Sequence, residues 1–203
     1  MSLVSLSTLK EYLPELGSSN SQDSKLQNLL DRVETAVANY LGFPKPSNSA
    51  AAVSLSSTTY IFYFDGSDFQ NPELLQLPVK PIVSLTSAYS DPDRAYDSSH
   101  QIVNGDIEID SAKGQLIILP TSTKAWDRAF RAIKITCVAG YQTAPPDMEH
   151  AICVWCSQLH RMKENQGLDM IIQEGANIKI SPRTMPLEVK EILRSFRNPR
   201  SIL

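Results

Sequence analysis

The sequence predicts an α+β protein, a helical bundle of about three to four helices with a small antiparallel β unit inserted between them. Two observations carry the helices: residues 23–42 and 146–166 each repeat apolar side chains at three- and four-residue spacing between start and stop signals. A third carries the insertion, since the intervening stretch changes to short β-branched and aromatic runs broken by Gly, Pro and Asp. The chain divides on this reading into N-terminal helices over 1–43, the β unit over 44–140, and a C-terminal part over 141–203 that completes the bundle. At 203 residues, 42% hydrophobic and 20% charged, it is long enough for one domain with a sizeable insertion and can bury a core.

In order, Ser7 is placed to cap a short helix through Leu13, and Pro14 ends it. Residues 17–24 read as a polar linker. Asp23 or Ser24 opens the next helix, with Leu26, Leu29, Leu30, Val33, Ala36, Val37, Tyr40 and Leu41 on one side and Gly42 and Pro44 beyond its end. Its stripe needs a partner, and the stripe over 146–166 is the obvious one. Residues 44–57, rich in Ser and Ala, form a flexible connection. Strands are expected over 58–64, closed by Asp65-Gly66, then over 74–77 and 82–89, with Pro78 and Pro81 between them. Residues 90–95 make a loop. Strands over 101–103, 106–109, 115–119 and 129–138 complete the unit.

Pro145 and Pro146 set an extended entry and a first helical turn, and Asp147 and Glu149 put negative charge where the helix dipole favours it. Met148, Ala151, Ile152, Trp155, Leu159 and Met162 follow on one face; Arg161, Lys163 and Gly167 mark the end. Residues 168–180 are two apolar pieces joined by Gly175-Ala176-Asn177, which fits a hairpin or a mobile loop. Pro186 starts a last helix with Leu187, Val189, Ile192, Leu193 and Phe196 as its apolar side, broken by Pro199.

A net charge of −3 gives no global reason to expect nucleic-acid binding, yet charge is uneven. Residues 1–110 hold six basic against fourteen acidic side chains, and 179–200 hold six basic against two acidic. That asymmetry fits an oriented assembly, or ordinary solvated faces. Three cysteines are too few for a disulfide framework. No apolar run reaches the ~20 residues that span a bilayer, and the start lacks the basic and apolar regions of a signal peptide. Synthesis in a reducing cytosol, without membrane contact, is the expectation.

His150, Cys153, Cys156 and His160 fall on one strip of a helix. Zinc needs four N or S ligands around one point, and four spread over nearly three turns cannot converge, so no metal is expected. Cysteine behaves as a small apolar residue when buried. Cys153, Cys156 and His160 are therefore read as packing or partner contacts, against the β unit or a neighbouring subunit. Asp106, Glu108 and Asp110 share one strand face, which alternation alone explains. Asp91-Pro92-Asp93 lacks the further ligands of a calcium loop, and His100 stands alone in a polar loop. There is no phosphate-cradling glycine loop, nucleophile elbow or His-Glu-x-x-His helix. No catalytic residue and no cofactor are expected. Arg194, Arg197 and Arg200 recur at three-residue spacing around Phe196; their partner is read as protein rather than DNA, whose phosphates would make binding salt-dependent.

Thr8-Leu-Lys-Glu-Tyr-Leu13 and the capped helix ending Val33-Glu-Thr-Ala-Val-Ala-Asn-Tyr-Leu-Gly-Phe43 resemble the opening of tailed-phage head–tail connector proteins. Leu77-Pro-Val-Lys-Pro-Ile-Val-Ser-Leu-Thr-Ser-Ala-Tyr89 is similar to the central β segment of their longer prophage relatives. Ile133-Lys-Ile-Thr-Cys-Val-Ala-Gly-Tyr141, then Pro145-Pro-Asp147 and a long helix, is similar to the junction those proteins share. The resemblance implies a non-enzymatic head-completion or adaptor subunit in the virion neck, made in the host cytoplasm. Such subunits form a ring, commonly of about twelve copies, under the portal and receive the stopper or tail, with DNA only passing through the channel. The isolated chain is expected to stay monomeric until it meets the portal. The β insertion and residues 168–180 depart from the shorter relatives. That leaves open a DNA-contacting neck protein, another small tail-assembly component, or a small phage enzyme or metal protein.

Overall fold

The computed structural model describes residues 2–16, 20–47, 52–66, 73–162, 170–173, 176–179 and 185–199. The chain forms two compact units by backbone proximity: Met1–Val37 with Ala144–Phe196, and Ala38–Thr143 with Arg197–Leu203. Helices and antiparallel sheets both occur, so the fold is α+β as the patterning predicts. Among the described residues no helix is long and apolar enough to cross a membrane.

The first unit is mainly helical. Its α1, Leu6–Glu11, is capped by Ser5 rather than Ser7: Ser5 is extended, and its side chain accepts from the Thr8 N–H at 3.0 Å. The helix ends before Leu13 because a residue preceding proline avoids the α region, and Pro14–Leu16 is a separate 3-10 turn. In α2, Asp23–Leu41, Leu26, Leu30, Val33, Val37 and Leu41 of the stripe read from the sequence are buried and Ala38 joins them, whereas Leu29, Ala36 and Tyr40 are half-buried. Gly42, at φ +78°, closes α2: Gly42 N–H reaches Asn39 O at 3.1 Å and Phe43 N–H reaches Ala38 O at 3.0 Å, which satisfies two terminal carbonyls.

Glu34 also lies on the buried side of α2, only 8% exposed. Its carboxylate accepts from Ser2 Oγ at 2.7 Å, Leu3 N–H at 2.9 Å and Val4 N–H at 2.8 Å, tying the chain start to α2. Helix α3, Pro146–Arg161, buries Met148, Ala151, Ile152, Cys153, Trp155, Cys156 and Ser157, more than one face of the helix. Its nearest backbone neighbours are α1 and α4 (Leu187–Leu193), while α2 meets it along a groove described below. Val189 and Leu193 anchor α4; Leu187, read as apolar side, is 73% exposed in its first turn. Of the two forms open for 168–180, the described residues take the hairpin: β8, Met170–Gln173, pairs antiparallel with β9, Ala176–Lys179. Lys163, Gly167, the 17–19 linker and Arg200 lie outside the described residues.

Among the described residues the second unit holds seven strands: β1 Thr58–Phe64, β2 Leu74–Gln76, β3 Ile82–Ser90, β4 Gln101–Ile102, β5 Ile107–Asp110, β6 Gln115–Ile118 and β7 Ile133–Ala139. They form two antiparallel sheets within that unit, in the orders β1-β7-β3-β4 and β2-β6-β5. The Ser111 hydroxyl donates to Ile82 O and the Asn104 amide to Leu85 O at 3.0 Å, joining the sheets. The last strand was expected from residue 129 but begins at Ile133, because Arg131 has φ +51°, which a strand does not allow. Asp106 likewise belongs to a 3-10 turn, Asn104–Asp106, and not to a strand. Tyr60, Ile133, Ile135, Cys137, Leu85, Ala88 and Ile102 turn inward on the four-stranded sheet, leaving Ile61, Tyr63, Lys134, Thr136 and Tyr89 on its outer face.

Candidate functional site

The strip on α3 does not gather. His150 Nδ1 hydrogen-bonds the Tyr12 hydroxyl at 2.9 Å, with the rings 5.7 Å apart, whereas Cys153 and Cys156 have no exposed surface. Among the described residues no group of three or more His, Cys, Asp or Glu is placed to hold a metal ion. Both thiols are fully buried in this chain, which gives them a packing role. Burial pushes the Cys153 and Cys137 thiols up to about 12 and Cys156 further in the same direction. Reaction needs the thiolate and access to it. All three cysteines are expected to resist a disulfide reagent at pH 8 in the folded protein and to react promptly in denaturant; rapid labelling of any thiol under native conditions would contradict this packing.

His160 lines an open groove of about 440 Å³ with Lys25, Asn28, Leu29, Arg32 and Leu159. Beyond α4 a 3-10 turn, Arg194–Phe196, leaves the Arg194 guanidinium 76% exposed and 3.9 Å from Glu191, with Phe196 half-buried. In the second unit Arg197 sits over the Tyr40 ring at 4.8 Å from its centre. Asn198 fixes that segment: its N–H donates to Leu41 O and its side-chain oxygen accepts from Lys80 N–H, both at 2.9 Å. Arg194 thus stands near Glu191 and Arg197 rests on Tyr40, while Arg200 lies outside the described residues. The carboxylate strip also disperses, since Asp110 pairs with Lys113 at 2.8 Å, Asp106 accepts from Ser122 and Glu108 is exposed.

Sequence reading missed a cluster on the second unit. Tyr63, Lys134 and Tyr89 stand opposite one another across β1, β7 and β3. Tyr96, from the loop after β3, closes over them, with ring centres 5.8 Å from Tyr63 and 6.4 Å from Tyr89. Lys134 Nζ lies 5.1 Å from the Tyr96 ring centre, and the Arg131 guanidinium 4.7 Å above Tyr63. The Tyr96 hydroxyl donates to Arg131 O at 2.6 Å, and Arg131 N–H donates to Asp65 at 2.9 Å.

Asp91 holds the loop that delivers Tyr96. Its carboxylate is fully buried and accepts from Tyr96 N–H at 2.6 Å and Asp93 N–H at 2.8 Å. Burial opposes its charge, but these N–H groups and His100 prevail and hold the pKa below the ordinary carboxylate value. His100, expected to stand alone, is 2.9 Å from Asp97 and 3.8 Å from Asp91, and Asp97 chiefly raises its pKa. The cluster's members come from separate segments, so no spacing in the sequence announces it.

No family model matches the sequence, and no curated protein matches it. Solved structures do match the fold. One is a chain in the virion of a native gene transfer agent particle, with a TM-score of 0.56, 16% identity, and 95% of this chain and 89% of that one covered. A second is in the neck of an empty particle of that kind computed with C6 symmetry, with a TM-score of 0.54 and 16% identity over 95% and 89% of the two chains. A third is in the neck of a native particle computed with C12 symmetry, with a TM-score of 0.54 and 15% identity over 95% and 88%. At such identities the likeness is one of fold, and it runs almost end to end in both chains.

Proposed function

We propose that this chain is a structural subunit of a phage-type virion neck, repeated around the particle axis as a ring that joins portal to stopper or tail. The observation that carries the reading is the near full-length match to chains of particle necks, over 95% of this sequence. Cyclic symmetry of C6 or C12 in those necks supports many identical copies around one axis. The order of elements supports the connector or adaptor position within the neck, as the resemblance implies. Arg194, Phe196 and His160 are the contacts this reading offers to neighbouring proteins, and Arg197, resting on Tyr40, supports the segment that follows. Cys153 and Cys156 instead fix α3 from inside.

Deletion of the gene in the host that carries it tests the proposal. Filled heads and separate tails are expected in electron micrographs, and immunogold against the chain in intact particles is expected at the head–tail junction. Label elsewhere, or joined particles without the chain, would sink the reading.

A further inference from the structure

Within that ring reading, we propose that the cationic tyrosine cluster of the second unit docks on an acidic face of the first unit of a neighbouring copy, at Glu11, Asp147 and Glu149. The donor side is built rather than incidental. Arg131 and Lys134 are already held against tyrosine rings, so little side-chain freedom remains to be lost on binding. Arg94, exposed, lies two residues before Tyr96 in the loop that Asp91 holds. Among the described residues Arg94, Arg131 and Lys134 have no carboxylate ion-pair partner. On the same face of β1 Tyr63 is 39% and Ile61 40% exposed, and Phe130, next in sequence to Arg131, is 65% exposed. Tyrosine and arginine with an apolar centre are what protein interfaces concentrate.

The acceptor side follows from charge complementarity. Glu11 ends α1, Asp147 and Glu149 lie in the first turn of α3, and the two helix ends meet where the hydroxyl of Tyr12, next to Glu11, bonds His150, next to Glu149, at 2.9 Å. None of the three forms an ion pair among the described residues. A contact from one unit to the other unit of the next copy is heterologous, the kind that generates a ring when its rotation closes. Nucleic acid fits the cluster less well. Cations cover the faces of Tyr63 and Tyr96 on which bases would stack, and three positive groups neutralise too few phosphates for firm duplex binding at physiological salt.

Particles assembled with a photo-crosslinking phenylalanine derivative at Phe130 test the occupant. Peptide mass spectrometry is expected to find α1 or the first turn of α3 from a second copy. A crosslink to another virion protein or to DNA, or none in particles that contain the chain, overturns the proposal. Charge exchange tests the pairing: Arg131→Glu with Lys134→Glu, and separately Glu11→Lys with Glu149→Lys, are each expected to lower the yield of joined particles about tenfold. The chain carrying all four changes is expected to restore it, which misfolding cannot do. Wild-type yield from both charge-reversed pairs overturns the docking face, as does a four-change chain that melts normally yet stays defective. A chain absent from the head–tail junction defeats the ring reading itself, whereas a chain present there and indifferent to charge reversal defeats only this contact.

Discussion

Gly66→Ala is expected to be among the most damaging single substitutions in the second unit, costing about 3 kcal/mol or more and lowering the melting midpoint by roughly 10 °C. A Cβ built on Gly66 overlaps the backbone of Arg128, and a backbone cannot step aside as a side-chain tip can. Gly66 N–H also donates to Ala129 O at 3.1 Å, so the two segments are hydrogen-bonded where the overlap occurs. Pushing them apart withdraws Asp65 from Arg131 N–H and lifts Arg131 off Tyr63. Gly140→Ala is expected to rank near it, because Gly140 has φ +110° and its Cβ would come within 2.9 Å of Ser56 O. Gly105 has nothing within 4 Å of the same position, and Gly105→Ala is expected to stay within about 0.5 kcal/mol of wild type. Thermal melts of the three variants decide it. Equal midpoints for Gly66→Ala and Gly105→Ala would refute the close approach.

The elements that the sequence announces are those whose signal is local and periodic. Leu26, Leu30, Val33, Val37 and Leu41 repeat at helical spacing, and their burial follows from that spacing. Strand β7 alternates so regularly that every second residue from Ile133 to Ala139 is buried. What stayed hidden depends on long-range pairing or on one residue's backbone. Alternation marks a strand but does not name its neighbour, so seven strands read as one unit divide into two sheets. Glu34 counts in the sequence as one more solvated charge; only the return of Ser2, Leu3 and Val4 to its carboxylate makes it structural. Cysteines on a helix strip invite a ligand reading, and their burial among Ala151, Ile152 and Trp155 gives them a packing role. The tyrosine cluster draws on residues 63, 89, 96, 131 and 134, which only the sheet register and the loop held by Asp91 bring together.

That loop gives the second large effect. Asp91→Ala strips two backbone N–H groups, on Asp93 and Tyr96, of their shared acceptor in a place closed to water. Both Arg94 and Tyr96 hold positive φ, at 62° and 51°, a conformation non-glycine residues adopt at a cost. Without the carboxylate only the Arg94 N–H bond to Asp91 O and the Tyr96 hydroxyl bond to Arg131 O oppose that cost, so Tyr96 is expected to loosen from Tyr63 and Tyr89. A fall in melting midpoint of roughly 5 °C or more is expected, together with altered near-ultraviolet circular dichroism from the tyrosines. The pH dependence has a definite sign. Asp91 titrates below its ordinary 3.8, so its contribution is present above that value and is lost as pH falls through the lower, folded value. His100 titrates above its ordinary 6.5, so its contribution is present below 6.5 and is lost as pH rises through the raised, folded value. Between those ordinary values both are in force. Asp91→Ala is therefore expected to make the acid limb of the stability profile shallower, with Asp97, lowered to about 2, still contributing to it. His100→Gln is expected to flatten the limb above neutrality and also to soften the acid limb, since His100 helps lower both Asp91 and Asp97. An Asp91→Ala protein with the wild-type acid limb and an unchanged tyrosine spectrum would mean that the loop is held by its own backbone, and that the carboxylate merely occupies the space.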